Sequence, residues 1–136
     1  MIRRAAVIAA GLVLAACATG GGPQRDLSDP AVRQLLQLPV PQYFATVAVA
    51  TTLTRNCPRY RFDAELESMI NQSRNAAGQG SLVAAAQRTG IELETDVMQR
   101  SFAAKHRVDL QTSDLCPAAD AEALQNSALS ALLVAV

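Results

Sequence analysis

The chain has 136 residues, with twelve basic and twelve acidic side chains and a formal net charge of zero. Half of its residues are hydrophobic, 18% are charged, tryptophan is absent, and the aromatics are two Tyr and three Phe. There is no basic field for nucleic acid and no acidic run for a metal store or a disordered tail, and the length suits one small domain with a core of Leu, Val, Ile, Met and Ala.

Arg3 and Arg4 precede an apolar run over residues 5–16. At about twelve residues the run suits a signal-peptide core and falls short of the roughly twenty needed to cross a bilayer. It ends in Leu14-Ala15-Ala16-Cys17, a tetrapeptide that resembles the lipobox of bacterial lipoproteins. The resemblance covers the leader alone. It implies that residues 1–16 are a signal peptide and that Cys17 becomes the lipidated N-terminus. Two or three acyl chains would then hold the body durably on a membrane. Ala18, where an aspartate often signals inner-membrane retention, implies anchoring in the outer membrane facing the periplasm. The outer leaflet of the inner membrane is the alternative. An ordinary secretory signal cleaved near Ala16-Cys17-Ala18 is the competing reading. Without Arg3 and Arg4, ten basic residues face twelve acidic ones, a net charge near −2.

Residues 17–27 read as the lipidated terminus and a flexible tether, because Gly20, Gly21, Gly22 and Pro23 do not fit regular structure. Residues 28–136 form the expected helical domain. Ser28 or Asp29 caps a first helix with Pro30 in its first turn, and Pro39 stops it. Segment 41–56 is rich in Val and Thr, and the alternation Val47, Val49, Thr51, Leu53 suits a strand. Its length and the absence of a visible partner favour a helix, since a lone strand leaves backbone groups unpaired. Phe62, Leu66, Met69 and Ile70 recur at helical spacing, with Glu65, Glu67, Gln72 and Arg74 directed elsewhere and Gly78 and Gly80 as terminators. Ser81 caps a short helix that Gly90 ends. The next helix places Val97, Met98, Phe102 and Val108 on one face, with Glu92 and Glu94 early and Lys105 and Arg107 late, as the helix dipole favours. His106 reads as a surface residue at that helix end. After a polar loop over 109–115, a last helix starts with Pro117 in its first turn and carries Leu124, Leu129, Leu132 and Leu133 into the core. The expectation is an all-α fold, a compact bundle of about five or six short helices.

With Cys17 lipidated, Cys57 and Cys116 remain, each followed by proline. In the oxidising compartment that the leader implies, two thiols in one small domain are expected to pair. Such a bridge closes a loop of roughly sixty residues, for which chain entropy gives on the order of 4 kcal/mol. That is a large share of the margin of a small domain. A redox couple instead uses close C-x-x-C spacing at a helix start. Zinc needs four clustered ligands, whereas only these two cysteines and His106 are present. Haem attachment needs C-x-x-C-H. No metal and no cofactor is therefore expected, and no nucleophile, base and orienting group form a catalytic set. The run Gly78-Gln79-Gly80-Ser81 lacks the strand and the lysine of a phosphate loop. Arg55, Arg59, Tyr60 and Arg61 crowd the loop around Cys57 as a basic and aromatic rim for partner contact, with a solvated loop as the plainer reading.

The body, with Arg55-Asn56-Cys57-Pro58 at a helix end, a helical middle and Cys116 opening the last helix, is similar to an uncharacterised family of small secreted bacterial proteins. The resemblance implies a helical fold, a Cys57–Cys116 bridge and no known activity. Two roles remain. One is a non-catalytic lipoprotein that binds another envelope protein as an accessory or assembly factor, without nucleic acid or a small-molecule substrate. The alternative is a periplasmic chaperone or stress-protection protein.

Overall fold

The structure, a computed structural model, describes residues 25–136. The expected signal peptide, Cys17 and the tether up to residue 24 lie outside the described residues. Arg25, at the end of that tether, reaches Asp29 Oδ1 at 3.4 Å and Asn126 Oδ1 at 3.3 Å.

Helix α1 (Pro30–Gln37) begins where Asp29 accepts the main-chain N–H of Ala31 at 2.8 Å and of Val32 at 3.4 Å, which satisfies donors that have no partner inside the helix. It ends at Leu38, whose extended backbone is what a following proline imposes. Helix α2 (Val40–Asn56) is the Val- and Thr-rich segment, and it is helical along its whole length. The hydroxyls of Thr46, Thr51, Thr52 and Thr54 donate to the carbonyls of Gln42, Val47, Ala48 and Ala50 one turn back. This back-bonding lets β-branched polar residues sit in a buried helix. Val40, Tyr43, Ala45, Thr46, Val49, Ala50 and Leu53 are all buried, so α2 is the axis of the molecule.

After Cys57 the chain extends into strand β1 (Tyr60–Phe62) and then helix α3 (Ala64–Ala76), capped by the buried Asp63, which accepts the N–H of Leu66 at 3.0 Å. Phe62 therefore precedes the helix instead of opening it. Arg74 is not directed away from the core. It continues the Leu66, Ile70 stripe at four-residue steps and is 3% exposed. Gly78, at φ +73, turns the chain out of α3 in a conformation that other residues adopt at a cost.

Helix α4 (Ser81–Ala86) is capped by Gly80, with Ser81 already helical, and none of its residues is buried. Gly90 does not end it. Gln87 separates α4 from helix α5 (Arg88–His106), and Gly90 lies inside that longer helix. The cost of an interior glycine, roughly 1 kcal/mol, is small beside the packing of a 19-residue helix that lies along α2. Phe102 is its one buried residue, Met98 and Val108 pack beside it, and Val97 is turned out at 47% exposure. Arg107 closes α5 in the left-handed region, as the Val108 N–H bonds to the Ala103 carbonyl at 3.0 Å.

The last segment divides. Helix α6 (Cys116–Ala123) stops early, Asn126 takes a positive φ, and a 3-10 turn (Ser130–Leu132) leads into strand β2 (Leu133–Ala135). Ser130 Oγ donates to the Ser127 carbonyl at 2.7 Å, and Ser127 Oγ accepts the Ser130 N–H at 3.3 Å. Local bonds of this kind compete with helix continuation. Leu124, expected on the docked face, is 87% exposed, whereas Leu132 and Leu133 do enter the core. Strands β1 and β2 pair antiparallel, with Tyr60 opposite Ala135, Arg61 opposite Val134 and Phe62 opposite Leu133.

Over the described residues the result is an all-α bundle of six helices with one small strand pair, clasped by a disulfide between Cys57 and Cys116. Tyr43, Leu35, Leu53, Leu66, Ile70, Leu115 and Leu132 are fully buried at its centre. Burying each such side chain contributes about 1.5–3 kcal/mol. No described helix is long and apolar enough to cross a membrane.

Candidate functional site

Among the described residues three constellations stand out for burial and charge, and the first surrounds the disulfide. Cys57 ends α2 and Cys116 opens α6, with Cα atoms 4.9 Å apart and 59 residues between them in sequence. Asp114 accepts the Cys116 N–H at 2.9 Å and sets the start of α6. One turn after Cys116, Asp120 faces the same corner. It accepts the Tyr60 hydroxyl at 3.1 Å and pairs with Arg59 at 2.8 Å. Both side chains of the ion pair are about half exposed, so it contributes little, about 0–1 kcal/mol. Burial and then the Asp120 carboxylate push the Tyr60 phenol above its ordinary pKa. Of the four expected rim residues, Arg59 and Tyr60 are thus tied to Asp120. Arg55 and Arg61 are exposed and make no ion pair among the described residues. Asp120 was not singled out from the sequence, although its place one helical turn beyond Cys116 put it on the same side of α6.

The second constellation joins the end of α5 to α6. Glu122 is buried, and its Oε1 receives Lys105 Nζ at 2.6 Å and His106 Nε2 at 2.7 Å. Lys105 also reaches Gln125 Oε1 at 2.7 Å, and Ser127 Oγ donates to Glu122 Oε2 at 3.4 Å. The imidazole packs against the Phe102 ring at 4.5 Å between centroids. His106 is therefore not a surface residue: its side chain is 9% exposed. Burial raises the Glu122 carboxyl, but hydrogen bonds and charge from Lys105 and His106 outweigh it and hold the group below the usual carboxylate range. Ser127 donates to the carboxylate and not to the imidazole, and the cluster ties the end of α5 to α6.

The third lies where α1, α2 and α3 meet. Tyr43 is buried, donates its hydroxyl to Asn71 Oδ1 at 2.8 Å and contacts the Phe44 ring edge-on. The Arg74 guanidinium lies 4.5 Å from the centre of the Tyr43 ring. Burial pulls the Arg74 pKa down from its ordinary value, opposed in part by Tyr43, and burial together with Glu67 drives the Tyr43 phenol strongly upward. A pocket of about 260 Å³ opens beside Arg74, lined by Phe44, Asn71, Asn75 and the Gln79–Ser81 backbone turn. Asn75 lies against Gly80 so closely that a Cβ there would collide with its side-chain oxygen.

Among the described residues no three His, Cys, Asp or Glu side chains converge as a metal site. Comparison of the chain with protein families, curated proteins and solved structures gives no match.

Proposed function

We propose that this chain is a membrane-tethered periplasmic lipoprotein, lipidated at Cys17 and held in the outer membrane, whose helical body binds another envelope protein. Its role is that of a non-catalytic accessory or assembly factor. The observation that supports this best is the disulfide corner. There Arg55 and Arg61 stand exposed beside the Asp120-held pair Arg59 and Tyr60. A backbone locked by a disulfide and by strand pairing loses little entropy when it docks, and Arg and Tyr are enriched in interface hot spots. The partner surface is acidic.

The test is site-specific photocrosslinking in intact cells from position 61, with position 93 on α5 as reference. A single partner captured from 61, and lost when Arg55→Glu is added, is expected. No crosslink from position 61 overturns the reading. The second role, a chaperone, draws on the exposed Leu82, Leu93 and Leu124, at 86%, 65% and 87%; a spread of unfolded clients from both positions would favour it. Intact-mass measurement shows an acylated Cys17 if the anchor is right and an unmodified one if it is wrong.

A further inference from the structure

Arg74 is a cation that the fold encloses almost completely, at 3% exposure. Its Nη1 donates to the main-chain oxygens of Leu36 at 3.2 Å and Leu38 at 3.0 Å, where α1 ends. The Tyr43 ring supports one face of the guanidinium. These contacts hold the charge in place without neutralising it. Nε and Nη2 are buried and have no hydrogen-bond partner, and Arg74 makes no ion pair among the described residues. Buried donors are nearly always satisfied, and a buried charge persists where a partner offsets it.

The two unpartnered groups share one edge of the guanidinium. Nε–H and an Nη2–H point the same way and form the side-on fork that meets both oxygens of a carboxylate. The same fork also meets two oxygens of a phosphate, and it is the Phe44 ring lining the pocket that favours a carboxylate on an apolar group. Arg74 lines the pocket of about 260 Å³, with the Phe44 ring as an apolar wall and Asn71, whose oxygen already serves Tyr43, keeping its amide NH2 as a further donor. That volume lies below the roughly 300–1,000 Å³ of sites for drug-sized ligands, so its occupant is small.

We propose that this pocket binds a carboxylate carried on a short apolar group, its oxygens paired with the side-on fork of Arg74 and its carbon chain against Phe44. Both donors are closed off from solvent, so binding moves a neighbouring segment aside. The turn that carries Gln79, Gly80 and Ser81 leads into α4, which buries no side chain. The site is separate from the disulfide corner and does not depend on that reading.

The test follows the Arg74 Nε–H resonance of the full-length protein during titration. The probes are butyrate, the free-acid dipeptide N-acetyl-alanyl-valine, butyramide and inorganic phosphate. A saturable shift with butyrate or the dipeptide acid, and none with butyramide, is expected. Tighter binding of butyrate identifies a free acid as the source, and tighter binding of the dipeptide a chain end. Arg74→Lys keeps the charge, removes the fork and should weaken butyrate binding at least tenfold. Should that variant not fold, Gln79→Glu serves, since it places a carboxylate in the pocket and should weaken butyrate binding by a similar factor while raising the melting temperature. A linear shift, equal response to butyramide, tighter binding of phosphate, or unchanged butyrate affinity in Gln79→Glu each overturns the proposal.

Discussion

Around Cys57, five elements are tied in pairs: α2 and α6 by the disulfide, β1 and β2 by their ladder, and the end of α5 to α6 through Glu122. Around Arg74 the construction differs. There α4 buries nothing, Leu82 is 86% exposed, and a pocket borders a cation that has no carboxylate partner among the described residues. One region is cross-linked by a disulfide, a strand ladder and a buried carboxylate, and the other borders a helix that buries no side chain. Local opening is cheapest where buried contacts are few, so the molecule combines a rigid corner with a yielding one.

The largest effect should come from cutting the clasp. Cys57→Ser with Cys116→Ser releases a loop of 59 residues, and the expected loss is about 4 kcal/mol by denaturant unfolding. Amides of β1 should then exchange faster while those in the middle of α2 keep their order of protection. A loss under about 1 kcal/mol would show that the corner is held by packing alone.

A smaller effect is expected at Glu122. Replacing it by Gln should cost about 1–2 kcal/mol near neutral pH, because a buried charged acceptor is lost while the half-exposed Lys105 can turn to solvent. The sign with pH follows from the lowered carboxyl. A group that titrates below its unfolded value contributes its full stability above that value and loses it as pH falls through the folded one. The gap between wild type and Glu122→Gln should therefore narrow on acidification below about pH 4.3, the ordinary glutamate value. A gap that widens there would refute the assignment.

The smallest effect belongs to the loose region. Leu82→Ser should change stability by no more than about 0.5 kcal/mol, the range of surface substitutions. A loss above 1 kcal/mol would mean that α4 is packed more firmly than its exposure indicates.

Much of this contrast was legible in the sequence, because caps, prolines and amphipathic spacing are local. Asp29 with Pro30, Pro39, and the two Cys-Pro pairs mark helix limits close to where the structure has them. What escaped was non-local or masked by a stronger signal. Strands of three residues carry too few positions for a period of two to register, and β1 gains its partner only from residues about seventy positions away. Gly90 has the residue type of a terminator, but the packing of α5 on α2 carries the helix through it. Arg74 extends Leu66 and Ile70 at the same spacing, so its stem completes the buried stripe although its charged head group reads as solvent-facing. His106 reads as exposed from its flanking cations, whereas the carboxylate that draws it inward comes from α6.

The threonine-bonded α2 has one more consequence. Residues 46–54 contain only Thr, Val, Ala and Leu, with no charge, proline or glycine to interrupt them. Released from the bundle, a run of that composition has the makings of cross-β stacking, in which identical segments from many chains pair edge to edge. Its helical form stands at the centre of the fold, where other helices cover it and the threonine hydroxyls are occupied within the helix. The disulfide at the end of α2 pins this β-prone stretch to α6 at its C-terminal side.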